Sequence, residues 1–258
     1  MIPPDRLNEI GKLLEVKYHE YNTREFIQTD PIQIPHLFHK KEDIEIASFL
    51  TCTIAWGQRK TIISNASQLM KLLDNSPHEF LEHSSVKDWE GLGRFVHRTF
   101  QPSDLLYFLD ALKRIYTEHG GLEKVFADGY KNGGVYESLI YFRKVFMQWS
   151  PLIRVNKHVS NPEKGSAAKR LNLFLMWMVR KDNIGVHFGL WPNIFPKDLI
   201  IPLDVHVGQM SRNLGLLGRT ANDWRAAMEL TTVLRKFDPE DPVKYDFSLF
   251  GMGLNQKF

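Results

Sequence analysis

Cysteine is nearly missing from this chain. Its one thiol, Cys52, rules out an internal disulfide framework and any four-cysteine metal cluster. No run of eighteen apolar residues occurs, which argues against a helical membrane span. The start, Met1-Ile2-Pro3-Pro4-Asp5, has neither the basic cluster nor the apolar stretch of a secretory signal, so a cytoplasmic location is expected. Gly-x-x-x-x-Gly-Lys-Ser/Thr and Gly-x-Gly-x-x-Gly are both absent, and nucleotide-dependent chemistry is not indicated. His36 and His39 stand three apart with no acidic or cysteine partner following, which speaks against a metal site. Period-two alternation is scarce. Asp30-Pro31-Ile32-Gln33-Ile34-Pro35 comes closest, and its prolines do not suit a central strand.

What the chain does have is helical patterning. Its 258 residues, 43% of them hydrophobic, are enough for a substantial core. Asp43 is placed to cap a helix whose apolar residues, Ile44 to Ala55, surround it on most sides. Ser103-Asp104 opens an amphipathic stretch through Leu105, Phe108, Leu112 and Ile115 that stops at Gly120-Gly121. Gly133-Gly134 interrupts the next run, Asn222-Asp223 begins another, and a short helix through Phe247 and Leu249 closes the chain. Two connections are long, about residues 150–165 and 183–203. An all-α fold is expected.

Charge is unevenly placed. Between Arg143 and Lys181 lie nine basic residues against Glu163 alone, a net +8 that leaves −5 for the rest of a chain whose total is +3. Positive charge concentrated in this way suits phosphate binding by counterion release. The plain alternative is a solvated basic face with no polyanion partner.

Two segments inside and beyond this stretch carry chemistry. Gly165-Ser166-Ala167-Ala168-Lys169-Arg170-Leu171-Asn172 opens a helix in which eight of the nine residues from Leu171 to Val179 are apolar. Such a helix is enclosed by its domain, and the amides of its first turn suit a phosphate. Lys169 stands at its entrance, where partial desolvation favours the neutral, nucleophilic form of an amine. Read alone, Lys169 is more simply a surface lysine in a first helical turn. Further on, Asp204 precedes a helix that ends near Leu214-Gly215, the position of an N-cap carboxylate. A capped, ionised carboxylate could stabilise developing positive charge beside Lys169, or serve only as a cap. His206 is either a core histidine or a phosphate donor, and Arg212 reads as structural. Trp56, Trp177, Trp191, Phe247 and Phe250 are stacking candidates for which a core role is the simpler reading.

Taken in order, these segments resemble a known family. Gly165 to Asn172 looks like the hairpin-to-helix junction of the helix-hairpin-helix DNA glycosylases, the endonuclease III and 8-oxoguanine glycosylase superfamily. Leu203-Asp204-Val205-His206-Val207 with Arg212 and Leu214-Gly215-Leu216 is similar to that family's Val-Asp-Thr-His-Val segment and the Arg-x-Leu-Gly-Leu after it. Ala55-Trp56-Gly57-Gln58 resembles the end of its first apolar helix, and Asp246 to Gly253 its closing helix. The resemblance runs from about residue 44 to the C-terminus. It implies a two-lobed helical glycosylase fold, one lobe over about 44–182 with the hairpin and a second made of about 1–43 plus 204–258, with a groove between them. It also implies a monomer bound to double-stranded DNA at a damaged, flipped-out base, in a cytoplasmic, nucleoid-associated setting.

Carried over residue by residue, Lys169 attacks the anomeric carbon and forms a Schiff base, after which the strand can be cut by β-elimination. Asp204 assists departure of the base. Gly165, Ser166 and Ala167 bind a backbone phosphate, with Arg170 and His206 as further DNA contacts, and Gln58 fills the gap in the duplex. The chain departs from the family at Ala167, which replaces a glycine and limits left-handed backbone there. It lacks the iron–sulfur cysteines, so no cofactor is implied, and Asp204 follows Lys169 by 35 positions. That long spacing resembles archaeal 8-oxoguanine glycosylases and favours an oxidised purine as substrate. A non-catalytic DNA-binding module with the same fold is the alternative.

Overall fold

In the computed structural model, which describes residues 3–85, 87–149 and 153–255, eleven α-helices follow one another. They are α1 Pro4–Tyr21, α2 Arg24–Thr29, α3 Lys41–Thr53, α4 Arg59–Leu72, α5 Pro77–His83, α6 Pro102–Glu118, α7 Leu122–Met147, α8 Lys169–Val179, α9 Val205–Asn213, α10 Trp224–Leu234 and α11 Asp246–Asn255. Among the described residues there is no β-strand, only isolated bridges at His97–Phe100 and Ser166–Asp223. The all-α expectation stands. Asp30-Pro31-Ile32-Gln33-Ile34-Pro35 forms two 3-10 turns, the first capped by Asp30, whose Oδ1 accepts the Ile32 amide at 3.0 Å. None of the helices described is long and apolar enough to cross a membrane.

The chain divides into two compact units, residues 1–28 with 161–258 and residues 29–160. This differs from the expected division at 43/44 and 182/204. The hairpin and α8, expected with the central lobe, belong with the two ends of the chain. The cause lies at the C-cap of α8. Arg180 is buried there and reaches both Asp241 oxygens, Asp182 and the Tyr18 hydroxyl, tying α8 to α1 and to the turn before α11. The 183–203 connection follows α8 closely, with Phe188 and Leu190 amides donating to the Trp177 and Met178 carbonyls at 2.9 and 2.7 Å. Helix α11 packs between α1 and α9. Gly251 permits the first contact, since a Cβ there would lie 2.4 Å from the Tyr21 ring.

In the second unit, Phe49, Phe108, Phe126, Phe142 and Phe146 form one aromatic core, with the Phe126 and Phe142 rings stacked 4.3 Å apart. Gly133-Gly134, read as a break, is a sharp kink within α7. Its two arms close on each other where Gly129 lacks a side chain, a Cβ there falling 2.8 Å from the Ser138 Cα. Helix α6 begins at Pro102 with a capping box between Gln101 and Asp104. Helix α3 begins at Lys41 with Lys40 as its N-cap residue, so Asp43 is not the cap; it lies inside the first turn, and its Oδ1 accepts the His78 amide at 2.9 Å.

Candidate functional site

The approach to Lys169 is a short hairpin held by its own polar groups. A 3-10 turn, Pro162–Lys164, is capped by Asn161, whose side chain accepts the Glu163 amide and whose carbonyl accepts the Ser166 amide. Gly165 then turns left-handed at φ 84°, exposed and with nothing within 4 Å of where a Cβ would stand. The second left-handed residue is Ala168, at φ 49°, and not Ala167, where a glycine was expected from the family pattern. Two bonds hold it there: the Ala168 amide donates to the Ser166 hydroxyl at 3.2 Å, and its carbonyl accepts the Asn172 amide at 2.9 Å. Asn172, itself buried, donates its side-chain amide to the Ala167 carbonyl at 3.0 Å. Helix α8 starts at Lys169, and the amides of its first turn have no intrahelical acceptor. Lys169 and Arg170 are half-buried, Ala167 buried, Ser166 half-buried.

Asp204 is the N-cap of α9. Its Oδ1 accepts the Val207 amide at 2.9 Å, so the cap bond uses one carboxylate oxygen and leaves Oδ2 outside it. Its backbone carbonyl takes two donors, the Gly208 amide at 2.9 Å and the Asn222 side-chain amide at 3.2 Å. Asn222 is in turn gripped by Arg212, whose Nη2 donates to its Oδ1 at 2.6 Å while Nε donates to the Arg219 carbonyl. A Cβ on Gly208 would fall 2.6 Å from the Asn222 Oδ1 and 2.9 Å from the Arg212 Nη1, so this packing needs glycine.

The hairpin and Asp204 converge on the segment Asn222-Asp223-Trp224. Ser166 pairs with Asp223 in an isolated bridge, the Gly165 carbonyl accepts the Trp224 amide at 3.0 Å, and Asn222 holds the Asp204 carbonyl. Asp223 also caps α10 through the Ala226 amide and pairs with Arg219. Those bonds, the one from Arg219 foremost, hold its carboxyl down at about 2. Lys169 and Asp204 therefore belong to the same unit, and do not stand one in each lobe as expected. His206 is half-buried against α11, edge-on to Phe250 and in contact with Gly253; its Nδ1 is buried with no hydrogen-bond partner among the described residues. Gln58 lies in the second unit, exposed, as the N-cap residue of α4 with no side-chain cap bond.

The basic stretch is less available than its count suggests. Arg180 is consumed by Asp241 and Asp182, and Arg154 by the fully buried Asp104, at 2.9 Å through both Nε and Nη2. Arg143 is bonded to the Val159 carbonyl and to Asn156. Lys164 and Lys181 remain exposed around α8. Of the aromatic candidates, Trp177, Trp191 and Phe247 are buried core, while Trp56 and Phe250 are half-buried. Among the described residues no three metal-ligating side chains gather. Asn222 is not singled out by sequence reasoning: with Asp223 it reads as a helix start, although an Asn-Asp pair offers a second polar side chain once Asp223 has taken the cap of α10.

Fold and site together define an all-helical protein of two compact units, one of which carries a hairpin-to-helix junction joined to a capped carboxylate. The chain belongs to the DUF2400 family, a protein family of unknown function whose model matches residues 30–255. No curated protein and no solved structure matches it.

Proposed function

We propose that this protein is a DNA base-excision glycosylase with associated strand-cleaving lyase activity, using Lys169 as nucleophile and Asp204 as the assisting carboxylate. The observation that carries the reading is the convergence of the Gly165–Ser166 hairpin and the Asp204 cap on Asn222–Trp224. In support of it, the exposed, left-handed Gly165 has open space where a Cβ would stand, so a phosphate can approach the hairpin backbone closely. Asp204 adds a carboxylate with one oxygen outside its cap bond.

In the proposed reaction the neutral Lys169 amine attacks C1′ of a flipped nucleotide. The glycosidic bond breaks with its electrons going to the departing base, which takes up a proton. The Asp204 carboxylate stabilises the positive charge that develops on the sugar. Opening of the sugar ring gives an iminium between Lys169 and C1′. Loss of a proton from C2′ then expels the 3′ phosphate and cuts the strand, and water releases the amine. The substrate is an oxidised purine in duplex DNA.

A panel of duplex oligonucleotides carrying oxidised, alkylated and deaminated bases tests this by measuring base release. Release from an oxidised purine is expected, with DNA affinity falling steeply between about 50 and 200 mM salt. Tight, salt-sensitive binding with no release from any lesion would make the protein a DNA-binding module. Affinity indifferent to salt would remove DNA altogether.

A further inference from the structure

The geometry points to Asn222 as a positioning residue for Asp204, an inference that rests on the glycosylase reading and goes beyond its two reacting groups. An N-cap residue is not fixed by the helix it begins, because its own φ and ψ lie outside the helical well. Asp204 sits at φ −109° and ψ −170°, and a rotation about either bond would swing its carboxylate. Two bonds belong to the cap itself: Val207 to Oδ1, and Gly208 to the carbonyl. Both come from the helix and move with it. Among the described residues, Asn222 supplies the one bond to Asp204 that comes from another element, through Nδ2 at 3.2 Å to the carbonyl oxygen.

Three features show that Asn222 is held for this task. Its Oδ1 is occupied by Arg212 at 2.6 Å, which fixes the amide orientation and, by polarising the group, strengthens Nδ2 as a donor. Gly208 has no side chain where a Cβ would displace Oδ1. The next two residues are locked to the hairpin, by the Ser166–Asp223 bridge and the Trp224-to-Gly165 bond. Asn222 therefore transmits the position of the segment leading into Lys169 to the carboxylate. The side chain is exposed, so the core does not require it.

Two substitutions separate positioning from general support. Asn222→Asp is isosteric and keeps the Arg212 contact but removes the donor to Asp204. Gly208→Ala leaves Asn222 in place in the sequence and pushes it away from the other side. For both variants the hydrogen exchange of the Val207 amide, which reads the Asp204 cap directly, is expected to accelerate about tenfold, with the amides of α9 beyond Gly208 unchanged. Single-turnover trapping on an abasic duplex is expected to slow about tenfold while DNA affinity stays within about twofold, the pattern of lost positioning and not of lost binding. Wild-type Val207 exchange in Asn222→Asp overturns the inference, as does a loss of affinity equal to the loss of rate. A wild-type protein that traps no substrate would instead defeat the glycosylase reading. The exchange measurement alone would then decide whether Asn222 positions Asp204.

Discussion

Arg180→Met should cost this protein a large share of its stability. The arginine is 1% exposed, and each of its guanidinium nitrogens is engaged: Nε to both Asp241 oxygens at 3.0 and 2.8 Å, Nη1 to Asp182 at 3.2 Å and to His187 Nδ1 at 2.9 Å, Nη2 to the Tyr18 hydroxyl at 2.9 Å. The Tyr18 and Phe247 rings flank it, their centroids 5.5 and 5.7 Å away. Burial already lifts the Asp241 carboxyl above its usual range despite Arg180. Burial also works against charge on Asp182, but the Gly185 amide, Asn22 and Arg180 keep that carboxyl below the usual range. Methionine roughly fills the volume but takes the guanidinium away from Asp241 and leaves Asp182 with only its Asn22, Ile184 and Gly185 donors. Breaking a buried ion pair on one side costs about 3–5 kcal/mol, which for a chain of this size moves the thermal midpoint by about 10 °C. Thermal and urea unfolding read the loss. Adding Asp182→Asn and Asp241→Asn to the Arg180→Met variant should recover about half of it, because no unpaired charge is then buried. A midpoint within about 2 °C of wild type, or a triple variant no better than the single one, would refute this account of how α8 is anchored.

Other outcomes follow from the same kind of reasoning. His97 donates from Nε2 to the Trp56 carbonyl at 3.1 Å and accepts the Asn65 amide at Nδ1, 2.8 Å away, so both ring nitrogens are used by the neutral form. Burial lowers its pKa, against the pull of the Trp56 carbonyl, and Arg98 lowers it further. A histidine depressed in the folded state contributes stability above its unfolded pKa of about 6.5 and loses it as pH falls through the folded value. Urea titrations from pH 7.5 to 5 should show this decline, and Asn65→Asp, which offers Nδ1 an acceptor, should reverse its sign. An unchanged slope in Asn65→Asp would contradict the tautomer. Ala168→Val should lose about 3 kcal/mol in urea unfolding, because a β-branched residue is strained in the left-handed region and the site is 1% exposed. Ala168→Gly should stay within about 1 kcal/mol, since relief of backbone strain offsets the lost methyl burial and the added chain entropy. Equal losses in the two would show that the backbone angle is not what matters.

Features written into neighbouring residues could be read before the structure. The Asp204 cap, the stop at Gly215, the start of α10 at Asp223 and the kink at Gly133-Gly134 each rest on a side chain or glycine within four residues of its effect. What escaped the sequence depends on distant partners. The nine basic residues looked like a single patch because their counterions, Asp104 and Asp241, lie 50 and 61 positions away in the chain. The unit boundary at 160/161 was hidden for the same reason, since α8 is assigned by Arg180 reaching Tyr18 and Asp241 and not by its own composition. Asn222 escaped notice because its partners, Asp204 and Arg212, approach through a gap that only Gly208 leaves.

Borohydride trapping on duplexes carrying 8-oxoguanine or an abasic site tests the chemistry at Lys169 most directly. Reduction of the iminium should leave protein covalently joined to DNA in the wild type and in Lys164→Gln, a change to an exposed lysine of the same hairpin, and the adduct should vanish in Lys169→Gln. An adduct that survives Lys169→Gln, or none from the wild-type protein on either duplex, would contradict the assignment of that amine as the nucleophile.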